Sequence, residues 1–186
     1  MKKILTLLMV LCAMICFVAC DIENSDLADM ANGVQMDDWD DIEGTASQKQ
    51  AVRKARSYLD AMAFSYQGLI EQLEFEQFST EDATFGADNC GADWNEQAVR
   101  KAKSYLDTMA FSYKGLIDQL EYEKFTTEQA TYGVDNCGAD WNEQAVLKAK
   151  SYLDTMAFSR DGLIDQLIFE GFTAEQAAYG ATKNGL

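Results

Sequence analysis

Cys20 is the residue whose chemistry the sequence frames most clearly. It follows Phe17-Val18-Ala19 at the end of an apolar run, Ile4 to Val18, which itself follows the basic Met1-Lys2-Lys3. A basic start, an apolar stretch and a small residue before the cut are the layout of a secretory signal peptide. A cysteine directly after that cut stands where a bacterial lipoprotein is cleaved and acylated. Phe17 departs from the usual pattern, which has leucine there, while Cys12 and Cys16 compete poorly because bulky Leu11 and Ile15 precede them. The apolar run is also short for a spanning helix, which needs roughly 20 apolar residues. Acyl chains gain about 0.8 kcal/mol per buried methylene, so a Cys20 carrying more than one chain would stay at the membrane. Residues 1–19 are thus expected to be a signal peptide and Cys20 a lipid attachment site, which puts the mature chain on the outer face of the bacterial cytoplasmic membrane.

The remaining chemistry is carboxylate chemistry. The chain has 31 Asp and Glu against 15 Lys and Arg, with no histidine and no proline. Histidine-based proton shuttling, general base catalysis and metal ligation are therefore excluded. Removing residues 1–19 takes away Lys2 and Lys3 and no acid, which deepens the net charge from −16 to −18. A field of that sign repels nucleic acid and anionic lipid and attracts cationic partners. Acids are numerous enough for a glycosidase pair, but they recur at surface positions and mark no unique cleft. Asp88-Asn89-Cys90-Gly91-Ala92-Asp93 faintly suggests a calcium loop, yet it lacks the alternating oxygen ligands and terminal Glu of an EF-hand. No enzyme activity and no cofactor are expected.

These residues sit in a unit of 47 residues written almost three times. Ala51-Val52-Arg53-Lys54-Ala55 recurs as Ala98-Val99-Arg100-Lys101-Ala102 and as Ala145-Val146-Leu147-Lys148-Ala149. Stacked small units share a core and offer an extended surface, the architecture of binding arrays. Ahead of them, Asp21 to Gly44 holds nine acids and no base. So much charge with so little to bury predicts a disordered acidic tether over 20–46, with Met36 and Trp39 as solvated tether residues or as anchors docked on the first unit. The units are expected over 47–93, 94–140 and 141–186.

In the middle copy, Asp93 and Glu96 suggest a capping box ahead of a helix from about Trp94 to Ala110, whose stripe is Ala98, Val99, Ala102, Tyr105, Leu106 and Met109. Ser112 caps a short second helix buried through Leu116, Ile117 and Leu120. Thr126 and Gln129 cap a third, with Phe125 stapled to Ala130, ending near Tyr132-Gly133. The first copy opens with Ser47-Gln48-Lys49-Gln50, read as its own capping box. Cys90 and Cys137 are equivalent positions one repeat apart, farther than the roughly 7 Å a disulfide can bridge, so both are expected as buried thiols. Trp94 and Trp141 occur only where one unit passes to the next. They are expected to pack there, with exposed recognition aromatics as the alternative. The expected fold class is all-α: tandem three-helix, helix-turn-helix-like repeats.

Ser104-Tyr105-Leu106, Phe111-Ser112, Gly115-Leu116-Ile117, Gln119-Leu120-Glu121, Phe125-Thr126, Glu128-Gln129-Ala130 and Tyr132-Gly133-Val134-Asp135-Asn136 together resemble the repeat of the Ltp family, the host cell surface-exposed lipoproteins of bacteria and their prophages. The resemblance runs from Ser47 to Gly180. It implies compact three-helix units displayed outside the membrane and, for prophage members, superinfection exclusion. There the lipoprotein lets a phage adsorb but blocks injection of its DNA by engaging the tape-measure protein ejected from the tail.

A helix-turn-helix look raises DNA reading, but the turn carries Glu121, Glu123 and Glu128 against Lys124 alone, the wrong sign for phosphates. The acids Glu74, Glu76, Glu81, Glu121, Glu123, Glu128, Glu170 and Glu175 are instead the candidate surface for a basic stretch of an ejected phage protein, weak contacts repeated for avidity. Solubility is the other reading of the same charges. The third copy departs by placing Ile168 where Glu74 and Glu121 stand. The alternative function is a cell-surface adhesion or wall-associated binding module without antiphage activity.

Overall fold

The computed structural model describes residues 42–186. The expected signal peptide, Cys20 and the tether as far as Asp41 lie outside the described residues. Among the described residues there are nine helices and no strand: α1 Ala46–Ala61, α2 Tyr66–Phe75, α3 Thr80–Asp88, α4 Trp94–Leu106, α5 Tyr113–Tyr122, α6 Thr127–Asn136, α7 Trp141–Leu153, α8 Arg160–Phe169 and α9 Ala174–Lys183. They form three three-helix units, as the repeat predicts.

Capping residues start these helices. Ser65, Ser112 and Ser159 accept from the backbone N–H of Gly68, Gly115 and Gly162, and Thr126 and Thr173 form full capping boxes with Gln129 and Gln176. Each bond satisfies a donor that the helix leaves open. Asp93 is the N-cap of α4 as expected, but it accepts from both the Asn95 and Glu96 N–H groups rather than forming a reciprocal box with the Glu96 side chain.

Three boundaries differ from expectation for local reasons. The first unit is capped by Thr45 with Gln48, not by Ser47, whose hydroxyl donates to Asp82 at 2.6 Å. The long helix of the second unit stops at Leu106 rather than Ala110, because the Thr108 hydroxyl donates to the Tyr105 carbonyl at 3.0 Å and draws the last turn tight. Thr155 does the same in the third unit, whereas Ala61 stands there in the first and α1 runs through it. Side-chain competition for backbone carbonyls explains the difference. The third helix of the middle unit runs on to Asn136, since Gly133 is an interior residue; the left-handed glycine that follows the helix is Gly138, at φ +80°.

Gly133 is interior because of what it touches. A Cβ there would lie 2.8 Å from both the carbonyl carbon and the oxygen of Ala98, and Gly86 and Gly180 meet Ala51 and Ala145 in the same way. The first and third helices of every unit therefore cross backbone to backbone. Leucines of the second helix close each core: Leu69 and Leu73, Leu116 and Leu120, Leu163 and Leu167, all fully buried.

Units are joined by side chains that serve both neighbours. Trp94 opens α4 but packs on the core of the preceding unit, edge-to-face with Tyr66 at 5.4 Å, and Trp141 repeats this on Tyr113. Such pairs contribute about 0.5–1.5 kcal/mol beyond buried area. The junction role expected for the tryptophans is the one they have. The Ser65 hydroxyl that caps α2 also donates to the Glu123 carbonyl of the next unit at 2.5 Å, and Ser112 donates to Glu170 at 2.6 Å. Cys90 and Cys137 are buried free thiols donating to the carbonyls of Ala87 and Val134, as expected.

Helix propensity alone says that Gly133→Ala should gain about 1 kcal/mol. The backbone crossing reverses the sign. Overpacking against Ala98 should cost about 1–3 kcal/mol, lowering the urea midpoint at unchanged slope, and Gly180→Ala should behave alike.

Candidate functional site

The acids singled out by sequence occupy one region per unit, the turn from the second helix to the third, but they fall into three physical classes. Glu76, Glu123 and Glu170 are the C-caps of α2, α5 and α8 and belong to a repeated clamp. Tyr58 and Tyr105 donate their hydroxyls to Glu76 and Glu123 at 2.5 Å, and Tyr152 donates to Glu170. Each hydroxyl accepts in turn from Gln72, Gln119 or Gln166 at 3.1 Å. The second carboxylate oxygen of each acid pairs with Lys54, Lys101 or Lys148 at 3.1, 3.0 and 2.9 Å. Those lysines also lie over the tyrosine rings, 5.2 to 5.7 Å from the centroids. The clamp ties the first helix to the end of the second.

The clamp also shifts its own titrations. The Tyr58 hydrogen bond, then Lys54, hold Glu76 below its ordinary 4.5. Burial pushes Glu170 up, but Tyr152 and Lys148 outweigh it and its pKa ends below the ordinary value. Burial, and then the facing Glu123, push Tyr105 well above its ordinary 10.

Glu74 and Glu121 form the second class. Each accepts from the threonine that opens the next helix, Thr80 or Thr127, at 2.6 Å. Ile168 and Ala174 replace this pair in the third unit, where Ile168 is exposed. Glu81, Glu128 and Glu175 form the third class: exposed carboxylates in the first turns of α3, α6 and α9, where the helix dipole favours negative charge. They are the sequence-selected acids whose charge faces water most directly.

The turn itself is a Schellman closure. Phe78, Phe125 and Phe172 donate from their backbone N–H to the carbonyls of Leu73, Leu120 and Leu167. The left-handed residue it requires is Gln77 in the first unit, Lys124 in the second and Gly171 in the third. What sequence reasoning missed is the side chain just before each cap. Phe75, Tyr122 and Phe169 are 76, 62 and 86 % exposed, and their recurrence every 47 residues was the available signal.

At the junction of the second and third units, a cleft of about 330 Å³ is lined by Phe111, Gly115, Asp118, Tyr122, Lys148 and Glu170 among others. Among the described residues no group of three or more Cys, Asp or Glu side chains converges as a metal ion would need, and no helix is long and apolar enough to cross a membrane.

Three stacked units with one capping scheme, one clamp and one acidic turn each define an all-helical tandem-repeat protein. The chain belongs to the Ltp family, described as host cell surface-exposed lipoproteins, whose profile matches residues 46–90, 93–137 and 140–183. A solved structure is also similar, that of Ltp, a superinfection exclusion protein from the Streptococcus thermophilus temperate phage TP-J34. It shares 40% identity with a TM-score of 0.47, covering 49% of this chain and 95% of that one. No curated protein matches.

Because Glu76 and Glu170 have lowered values when folded, the unfolded chain takes up their protons first as pH falls. Their stabilisation is present above about 4.5 and disappears as pH drops through the depressed folded values. Thermal melts should fall below that pH, and Glu76→Gln with Glu170→Gln should flatten the drop while lowering stability at neutral pH.

Proposed function

We propose that this protein excludes phages from the cell that bears it. It is held at the outer face of the cytoplasmic membrane by lipid on Cys20 and stops phage DNA injection by binding a basic segment of the tape-measure protein ejected from an adsorbed virion. The observation that carries the reading is that all three units match the Ltp family of host cell surface-exposed lipoproteins, a resemblance that implies superinfection exclusion for prophage members. The charge agrees in sign. A chain of net charge −16 carries an exposed carboxylate at the same place in each unit, a geometry in which weak contacts to a basic polypeptide add through effective concentration. Action is by stoichiometric binding, without a cofactor.

The acids divide by role in this mechanism. Glu81, Glu128 and Glu175, with Glu74 and Glu121, are the partner-facing charges. Glu76, Glu123 and Glu170 hold the turn that presents them, because their carboxylates are taken up by Lys and Tyr partners. Reversing the clamp acids would test folding rather than binding.

The test is expression in a phage-sensitive host, with adsorption and intracellular phage DNA measured separately. Adsorption should stay normal while DNA injection is blocked. Cys20→Ala should abolish protection, and Glu81→Lys, Glu128→Lys and Glu175→Lys together should weaken it with helicity intact. Uninhibited injection by a panel of tailed phages would overturn the reading in favour of an adhesion module. Full protection by the triple reversal would remove these acids from the site.

A further inference from the structure

The second helices carry one more repeated pair. Glu71 and Phe75, Asp118 and Tyr122, and Asp165 and Phe169 stand four residues apart on α2, α5 and α8, which places carboxylate and ring on one helix face. Each ring is the last residue of its helix and contributes little to the core, since it is more than half exposed in every unit. A single exposed aromatic needs no explanation. One held out at the same register three times, beside an acid each time, is a recognition pattern.

The first junction shows what such a pair takes. Lys124, on the left-handed turn after α5, reaches back to the preceding unit and pairs its ammonium with Glu71. A cation delivered from outside the unit thus neutralises the acid of the first pair. At the second junction Gly171 replaces Lys124, so that cation is missing. Leu147 likewise replaces Arg100, whose guanidinium crosses the first junction to the Leu59 carbonyl at 2.7 Å. Ser112 and Gly115, against which Gly171 packs, line a cleft together with Asp118, Tyr122 and the Glu170-paired Lys148. Asp118 keeps one partner, Lys114, a turn back on its own helix at 2.5 Å, with both side chains more than half exposed. Exposed pairs of this kind exchange readily with competing cations. On α8 the position of Lys114 is Asp161, so Asp165 faces a second acid four residues away and has no ion-pair partner among the described residues. Two like charges at that spacing repel and favour a cation between them.

We infer that the Asp118–Tyr122 cleft and the Asp165–Phe169 pair are seats for lysine or arginine side chains of a basic polypeptide, and that Lys124 takes up the acid of the equivalent Glu71–Phe75 pair from within. The acid supplies charge and the ring face supplies cation–π attraction and contact for the aliphatic stem. This deepens the reading above and rests on it for the basic partner. It adds the second-helix pairs to the exposed third-helix acids as contacts, and makes the first unit the one whose pair is already neutralised.

The probe is a fluorescent peptide of alternating lysine and glycine, titrated into the isotope-labelled, lipidated full-length chain in zwitterionic micelles, with anisotropy for affinity and amide shifts for location. Shifts should gather at 118–122 and 165–169 and spare 71–75. Tyr122→Ala should weaken binding about two- to fivefold, the factor of an exposed cation–π contact, and Tyr122→Phe should restore it. Lys124→Gln should add shifts at 71–75 and raise the stoichiometry, and the turn accommodates it, since Gln77 holds the same left-handed position in the first unit. Shifts spread over Glu81, Glu128 and Glu175, indifferent to Tyr122→Ala and Lys124→Gln, would sink the seats. The two readings separate in cells. Peptide mapping to the seats without phage protection leaves the seats standing and removes the exclusion function. Protection undiminished by Tyr122→Ala with Phe169→Ala removes the seats and leaves exclusion standing.

Discussion

The contact on which the rest of this protein depends is the meeting of two backbones, Gly133 on Ala98, with its counterparts Gly86 on Ala51 and Gly180 on Ala145. Backbone meets backbone where the first and third helices of a unit cross, so each unit is thin and its core is small, built of alanines around a pair of second-helix leucines with a few larger side chains. A core of that size is marginal for an independent domain. Stacking supplies what it lacks: the tryptophan that opens one unit completes the core of the unit before it.

The same economy governs the polar groups. One serine hydroxyl caps a helix and holds the next unit's carbonyl. One glutamate caps a helix, accepts a tyrosine hydroxyl and pairs with a lysine, while its own carbonyl takes the serine of the preceding unit. Much of the acidity near the turns is therefore structural. A surface that looks uniformly anionic by composition resolves into clamped charges, charges bonded to threonine and charges facing water. The clamped charges are the ones least open to a partner, since each carboxylate already holds a lysine and a tyrosine.

The junctions also show how near-identical repeats acquire different properties. Two replacements, Gly171 for lysine and Leu147 for arginine, remove both the cross-junction ion pair and the cross-junction guanidinium contact. What remains at the second junction is Trp141, the Ser112 bond and a bond from the Phe111 N–H to Gln144 at 3.2 Å. The scaffold persists because its anchors are the tryptophan and the serine, and the variable positions lie around them.

Apart from the first, where Thr45 and not Ser47 is the cap, helix starts were legible because a cap is a local event: Ser112, Thr126 and Asp93 act on donors two or three residues away. So were the all-helical class, the burial of Cys90 and Cys137 and the junction tryptophans, which follow from hydrophobic spacing and from where a residue type recurs. Helix ends were less legible. Thr108 shortens its helix through its own hydroxyl, and Gly133 looks like a terminator until the helix it touches is known. The fate of the acids lay furthest from reach, because Tyr105 and Glu123 are 18 residues apart and no periodicity pairs them. Sequence by itself determined the repeat, its helices and the sign of its charge, since these rest on local propensity and composition. Tertiary structure decided which charges are spent inside the array and which rings and carboxylates face outward, because that depends on which helices come to lie side by side.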